Sequence, residues 1–254
     1  MSTETLQKIK ERFDKADFEK LTDLLNEYRD DERSGVRKLY MQAEKKLLSR
    51  KAEIERITTM LKFEREYDHY GLICGIDEAG RGPLAGPVVA GAVILPKDCF
   101  ILYLNDSKKL SEKRREELYH IITEQAIAYG IGFASPERID EINILNATYE
   151  AMRDAVKNLN ISPQILLNDA VTIPGIEIKQ VPIIKGDEKS ASIAAASIIA
   201  KVTRDRMMVE YDKIFPGYGF ESNKGYGALN HINAIKTLGL TPIHRRSFLK
   251  TLLE

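Results

Sequence analysis

The sequence predicts a mixed α/β domain over residues 71–254 behind an all-helical extension over 1–70. Three observations carry that reading. The first is an abrupt change of texture. Residues 1–70 hold no proline and one glycine, Gly35, whereas all nine prolines and fifteen of the sixteen glycines follow. Turn-forming residues punctuate a chain that changes direction often. The second is a series of short apolar runs, several rich in β-branched residues and bounded by turn formers, which is the pattern of strands. The third is the Ala-rich stretch SASIAAASIIAKVTRDRMMVEYD over 190–212, which reads as one long helix.

Taken in order, Leu6, Ile9 and Phe13 recur at helical spacing behind Ser2 and Thr3, which are candidate caps. Phe18, Leu21, Leu24, Leu25 and Tyr28 fit a second helix. DDERSG, over 30–35, reads as a turn. A long third helix carries Leu39, Leu47, Ile54, Ile57 and Leu61. Sixteen basic and sixteen acidic residues balance within 1–70. The extension therefore reads either as a helical hairpin or bundle with solvated charged faces, or as an auxiliary arm for nucleic acid or a partner.

Beyond residue 70, GLICGID is a short apolar strand ending in charge. PVVAGAVIL is a β-branched run closed by Pro96, and AIAYGIGFAS is a third strand. Residues 143–158 read as helix, QILLND and QVPIIKGD as two more strands, and 190–212 as the long helix. Three early strands able to form a meander, then helix, strand, strand and helix, give a mixed sheet flanked by helices.

Lys+Arg and Asp+Glu both number 38, so the formal net charge is +0. That argues against a protein holding nucleic acid by bulk positive charge alone; any such site must gather basic residues locally. The two cysteines, Cys74 and Cys99, offer neither a disulfide framework nor a zinc spacing. No apolar signal core or membrane-length run occurs, which reads as a cytoplasmic protein.

The acids carry the chemistry. Asp77-Glu78, Asp169 and Asp187 each fall where an apolar strand is expected to run out. Strand ends are where open α/β sheets build sites. Singly, such residues are turn formers or helix caps. Together they would be four repelling anions, a set that hard Mg²⁺ or Mn²⁺ relieves. Two such ions suit in-line attack of water on a phosphodiester. Gly80-Arg81-Gly82-Pro83 is either a tight turn or a loop whose backbone approaches phosphate or sugar, with Arg81 reaching phosphate oxygens. It is not a P-loop, because no GK[ST] follows.

The string GIDEAGRGPLAGPVVAGAVIL closely resembles the N-terminal signature of the ribonuclease HII family. The resemblance continues through DSKKLS at 106–111, LLND at 166–169, KGD at 185–187, SIAAASIIAKVTRDR at 192–206, NKGYG at 223–227 and PIHRRSF at 242–248. It implies a ribonuclease H-like mixed five-stranded sheet. It also implies an endonuclease for RNA–DNA hybrids and ribonucleotide-containing duplex DNA, cutting 5′ to a ribonucleotide and leaving 3′-hydroxyl and 5′-phosphate ends. Asp77, Glu78, Asp169 and Asp187 match the family's metal-binding carboxylates, for two Mn²⁺ or Mg²⁺ ions. Gly80, Arg81 and Gly82 match the loop that contacts the 2′-hydroxyl, and Tyr226 matches a tyrosine that stacks on the neighbouring sugar. Read from the sequence alone, Tyr226 is a half-buried packing tyrosine.

Lys108 and Lys185 are the foremost phosphate candidates, ahead of Lys109, Lys201 and Lys224. His244 reads as structural. Many family members have Val-Asp-Gly where this chain has Asn168-Asp169-Ala170, so the local turn can differ. The first 70 residues lie outside the core pattern. A ribonuclease HIII-type hybrid nuclease, a catalytically silent duplex binder and a partner-binding helical module with a passenger domain are the alternatives. No membrane association, obligate protein partner or oligomer is expected.

Overall fold

The computed structural model describes residues 4–250, so the candidate caps Ser2 and Thr3 lie outside the described residues. The chain forms two compact units that divide between Thr58 and Thr59. The first holds α1 (Leu6–Lys15), α2 (Phe18–Glu27) and most of α3 (Ser34–Met60). Asp17 caps α2 by accepting from the Lys20 N–H at 2.9 Å. Ile9, Phe13, Leu21, Leu24, Leu25 and Tyr28 bury together, as their helical spacing requires. The turn expected over 30–35 is shorter, because α3 begins at Ser34. Gly35 lies inside its first turn, where a Cβ would come within 2.6 Å of the Leu6 side chain.

The second unit starts with α4 (Lys62–Glu66). Phe63, Tyr67 and Tyr70 pack on Ile73, Ile165 and Leu167. Residues 59–70 share the glycine- and proline-poor texture of the extension yet fold with the second unit, since that texture records turn density rather than packing. The sheet holds β1 (Ile73–Ala79), β2 (Val88–Ile94), β3 (Ala128–Ala134), β4 (Ile165–Asp169) and β5 (Lys179–Ile183). Its order is β3-β2-β1-β4-β5. β1, β2 and β3 form an antiparallel meander, while β4 and β5 run parallel to β1. The helices are α5 (Glu112–Gln125), α6 (Pro136–Lys157), α7 (Gly186–Lys189), α8 (Ala191–Ile214), α9 (Phe220–Asn223) and α10 (Leu229–Leu238).

Two expectations need correction. The helix read over 143–158 begins at Pro136, capped by Ser135, and kinks at Asn143, where φ is +68°. Proline in the first turn needs no hydrogen-bond partner, so it starts this helix. The fifth strand stops at Ile183. Lys185 turns the chain through a left-handed φ of +57°, and Asp187 lies in the short α7 that follows.

Alternation along the strands assigns the two faces. Gly130 and Gly132 press on the α6 backbone at Ala155 and Ala151, beside Ile76, Ala90 and Ala92 in one core. Gly75 and Gly91 press on α8 from the opposite face. A Cβ on Gly75 would lie 2.1 Å from the Ser192 carbonyl carbon, with main chain on both sides of the clash. Gly75→Ala is therefore expected to cost about 3 kcal/mol, the upper end of overpacking penalties. Urea denaturation measures it, and a midpoint unchanged from the parent would show that α8 can yield.

Candidate active site

β1 carries Asp77 and Glu78 two residues and one residue before its end, because pairing with β2 continues to Ala79. Consecutive strand residues point to opposite faces. Asp77 shares the α8 face with its partner Gly91, and the Ser197 hydroxyl of α8 hydrogen-bonds to it. Asp169 ends β4, the neighbouring parallel strand. Its Oδ1 accepts from the Gly186 N–H at 2.7 Å, which ties β4 to the turn carrying Asp187. Asp77 is 5% exposed and Asp187 8%.

Asp169 is the electrostatic hub, since its charge acts on Asp77, Glu78 and Asp187. Burial, then the charges of Glu78 and Asp169, push the Asp77 carboxyl well above the usual carboxylate range, against the Ser197 hydrogen bond. Burial also raises Glu78, opposed by Arg81, whose Nη1 stands 3.2 Å from Glu78 Oε1. Burial, Asp169 and Asp106 push Asp187 up to about 6. Such a set destabilises itself unless a cation is present. Among the described residues no three Asp, Glu, His or Cys side chains form a ready-made metal cage. The donor set, all carboxylate oxygens held in mutual repulsion, still fits a hard divalent ion. A cavity of about 460 Å³ lies instead beside Ile73, at the other end of β1, lined by Leu61, Glu64, Leu95 and Pro96 among others.

The Gly80-Arg81-Gly82 loop is locked from beneath by two buried guanidiniums. Arg245 donates to the carbonyls of Gly80, Arg81 and Gly86 at 2.6–2.9 Å. Arg204 donates to those of Ala85, Pro87 and Lys224 at 2.9–3.0 Å. Gly80 and Gly86 have φ of +93° and +87°, which favour glycine. The Gly225 carbonyl accepts from Leu84 N–H at 2.8 Å, so the loop after β1 and the 223–227 loop are one body. A Cβ on Gly82 would lie 3.8 Å from Tyr226 Cε1, so the loop and the tyrosine ring are neighbours. Tyr226 is 45% exposed, which fits a half-buried packing tyrosine and also leaves part of it open to solvent beside the loop.

The lysines separate clearly. Burial lowers the Lys108 ammonium, but Asp106, Asp77, Asp187 and Glu78 together outweigh it and raise the group on balance. Lys108 thus faces the acids. Lys185 is exposed, and its positive φ shapes the turn before Asp187. Lys109 pairs with Glu188 at 2.9 Å and Lys201 with Asp205 at 2.7 Å. Lys224 donates to the Glu221 carbonyl. Sequence reasoning missed Asp106, Ser197, Arg204 and Arg245. Asp106 is buried and caps its turn by accepting from the Lys108 N–H at 2.9 Å. Ser107 and Ser197 hydroxyls meet at 3.0 Å. All lie inside motifs already noted, but spacing gives no sign that they converge.

A family model described as ribonuclease HII matches residues 74–251, and one described as the ribonuclease HII N-terminal domain matches residues 5–68. A ribonuclease HII from Lachnoclostridium phytofermentans is 64% identical over 227 residues, covering 89% of each chain. One from Clostridioides difficile is 54% identical and covers 100% of both chains. The crystal structure of ribonuclease H2 from Pyrococcus horikoshii superposes with a TM-score of 0.60 at 29% identity, over 71% of this chain and 96% of that one.

Proposed function

The chain belongs to the ribonuclease HII family, and from that premise we propose how its residues divide the work. It is a divalent-metal-dependent endoribonuclease acting on RNA–DNA hybrids. In our reading it also nicks duplex DNA 5′ to a single ribonucleotide. The observation that carries this is the joining of the four-carboxylate cluster to one rigid body made of the Gly80-Arg81-Gly82 loop and Tyr226.

Asp77, Glu78, Asp169 and Asp187 hold two Mg²⁺ or Mn²⁺ ions in this reading. Bound there, divalent ions supply Lewis-acid activation of water and neutralise charge at the leaving oxygen. The protein's own groups do the rest. Ser197 fixes Asp77, and the Gly186 N–H fixes Asp169. Backbone groups of the Gly80–Gly82 loop address the 2′-hydroxyl, which separates RNA from DNA. The exposed Tyr226 ring stacks on the sugar beside it. Lys108 offers its ammonium to a phosphate beside the acids. Among the described residues no helix is long and apolar enough to cross a membrane. A cytoplasmic monomer with no obligate protein partner is the arrangement we propose.

The test is a DNA duplex carrying one ribonucleotide, with Mg²⁺ or Mn²⁺, beside an all-RNA/DNA hybrid. A nick 5′ to the ribonucleotide, lost with chelator, is expected. Cleavage of the hybrid alone would move the reading to the ribonuclease HIII type, and binding without cleavage would make the protein a silent binder. Tyr226→Ala is expected to lower kcat/KM on the single ribonucleotide about tenfold, the scale of one lost stacking contact. Unaltered kcat/KM would remove the stacking role.

A further inference from the structure

Two histidines lie behind Tyr226, with rings buried to 0% and 3% exposure. His244 Nδ1 is 2.9 Å from the Thr241 backbone nitrogen. A backbone N–H can only donate, so His244 Nδ1 must hold a lone pair and its proton must be on Nε2. That N–H points at His231 Nε2, 3.1 Å away. His231 Nε2 must therefore accept, which puts the His231 proton on Nδ1. Nδ1 in turn donates to the Tyr226 carbonyl at 2.7 Å. One backbone donor thus fixes both tautomers, opposite in sense, and gives the chain a single direction from Thr241 to Tyr226.

A further proton would break this chain. On His231 Nε2 it would face the His244 N–H; on His244 Nδ1 it would find the Thr241 hydroxyl at 2.8 Å as an acceptor but would face the Thr241 N–H at 2.9 Å. The surroundings agree. Tyr218 packs on the His244 ring at 5.3 Å and Phe220 edge-on against His231 at 5.2 Å. Burial lowers both rings' proton affinity, His244 to about 4 with the help of His231. The carbonyl that the chain engages belongs to the residue whose side chain lies against Gly82.

We propose that His231 and His244 are positioning residues that set ribonucleotide discrimination by holding the main chain at Tyr226 through a one-way neutral hydrogen-bond chain. The proposal rests on the stacking role of Tyr226 given above. Neither histidine touches substrate in it. Supporting hydrogen bonds of this kind typically change activity by roughly 10–100-fold at metal sites, and here the effect should fall on the ratio between substrates.

The full-length protein is compared in three variants: Tyr226→Ala, His231→Leu and His231→Asn. Leucine fills the volume without a donor, while asparagine keeps an N–H near the position of Nδ1. The readout is the ratio of kcat/KM on the single-ribonucleotide duplex to that on the hybrid. His231→Leu is expected to lower the ratio about tenfold, and His231→Asn to restore most of it. A ratio unchanged by His231→Leu but lowered by Tyr226→Ala would overturn the proposal and leave the stacking role standing. A ratio that Tyr226→Ala also leaves unchanged would overturn both. A second measurement needs no variant: ring ¹⁵N shifts at neutral pH should report His244 protonated on Nε2 and His231 on Nδ1. The same tautomer in both rings, or a charged ring, would overturn the chain.

Discussion

Asp77→Asn is expected to abolish cleavage and at the same time make the metal-free protein more stable. The loss of activity should exceed the roughly 100-fold seen when a mere supporting group is removed from a metal site. The gain in stability follows from the electrostatics. Burial raises the Asp77 carboxyl well above its ordinary value, and Glu78 and Asp169 raise it further. In a carboxyl whose folded value is raised, the charged form costs the folded state. Its stabilising contribution is present below the unfolded value, near 3.8, and is lost as pH rises through the folded value. Asparagine keeps the shape and removes the charge. A gain of about 1 kcal/mol, or roughly 2–4 °C in a protein of this size, is a conservative figure. Asp187 gives the matching pH signature: with its folded value near 6, the metal-free parent should gain stability as pH falls from 7 toward 4. Metal requires the deprotonated ligands and should flatten that dependence. Thermal melts with chelator and with Mn²⁺ measure both effects. Undiminished cleavage, or a lowered melting point in chelator, would remove Asp77 from the site.

Arg245→Met carries the second large effect, on the fold around the loop. The Arg245 guanidinium is fully buried and makes four hydrogen bonds to the carbonyls of Gly80, Arg81 and Gly86. Burial, and then the nearby Arg204 charge, lower its proton affinity, so the carbonyl fork must hold the charge in place. Methionine approximates the stem but leaves three carbonyls without this donor. Hydrogen bonds to a charged group contribute about 1.5–3 kcal/mol each, and a buried carbonyl left without a donor costs about 1–3 kcal/mol. A melting point lower by roughly 10 °C is expected. Arg245→Lys should recover little, because an ammonium cannot reproduce the planar fork. A near-parental melting point in either variant would show that the loop holds its shape unaided.

Much of this was legible in the chain itself. Short apolar runs bounded by turn residues located all five strands, and helical spacing located Ile9, Phe13, Leu21 and Leu24 in the first unit's core. The motif order identified the family, since short segments with fixed residue types survive as strings. Boundaries were less legible. β1 runs past Asp77 because its end is set by pairing with β2, and Asp187 leaves the strand because Lys185 adopts a positive φ.

The rest belongs to tertiary structure. Arg245 reaches Gly80 across 165 residues, Arg204 reaches Ala85 across 119, and Ser107 meets Ser197 across 90. The histidine chain rests on which backbone group faces which ring nitrogen. Periodicity records which face of an element is buried, so it fixes elements and core. Hydrogen bonds from a side chain to a distant carbonyl leave no period in the sequence, so only the folded chain decides how the loop and Tyr226 are held.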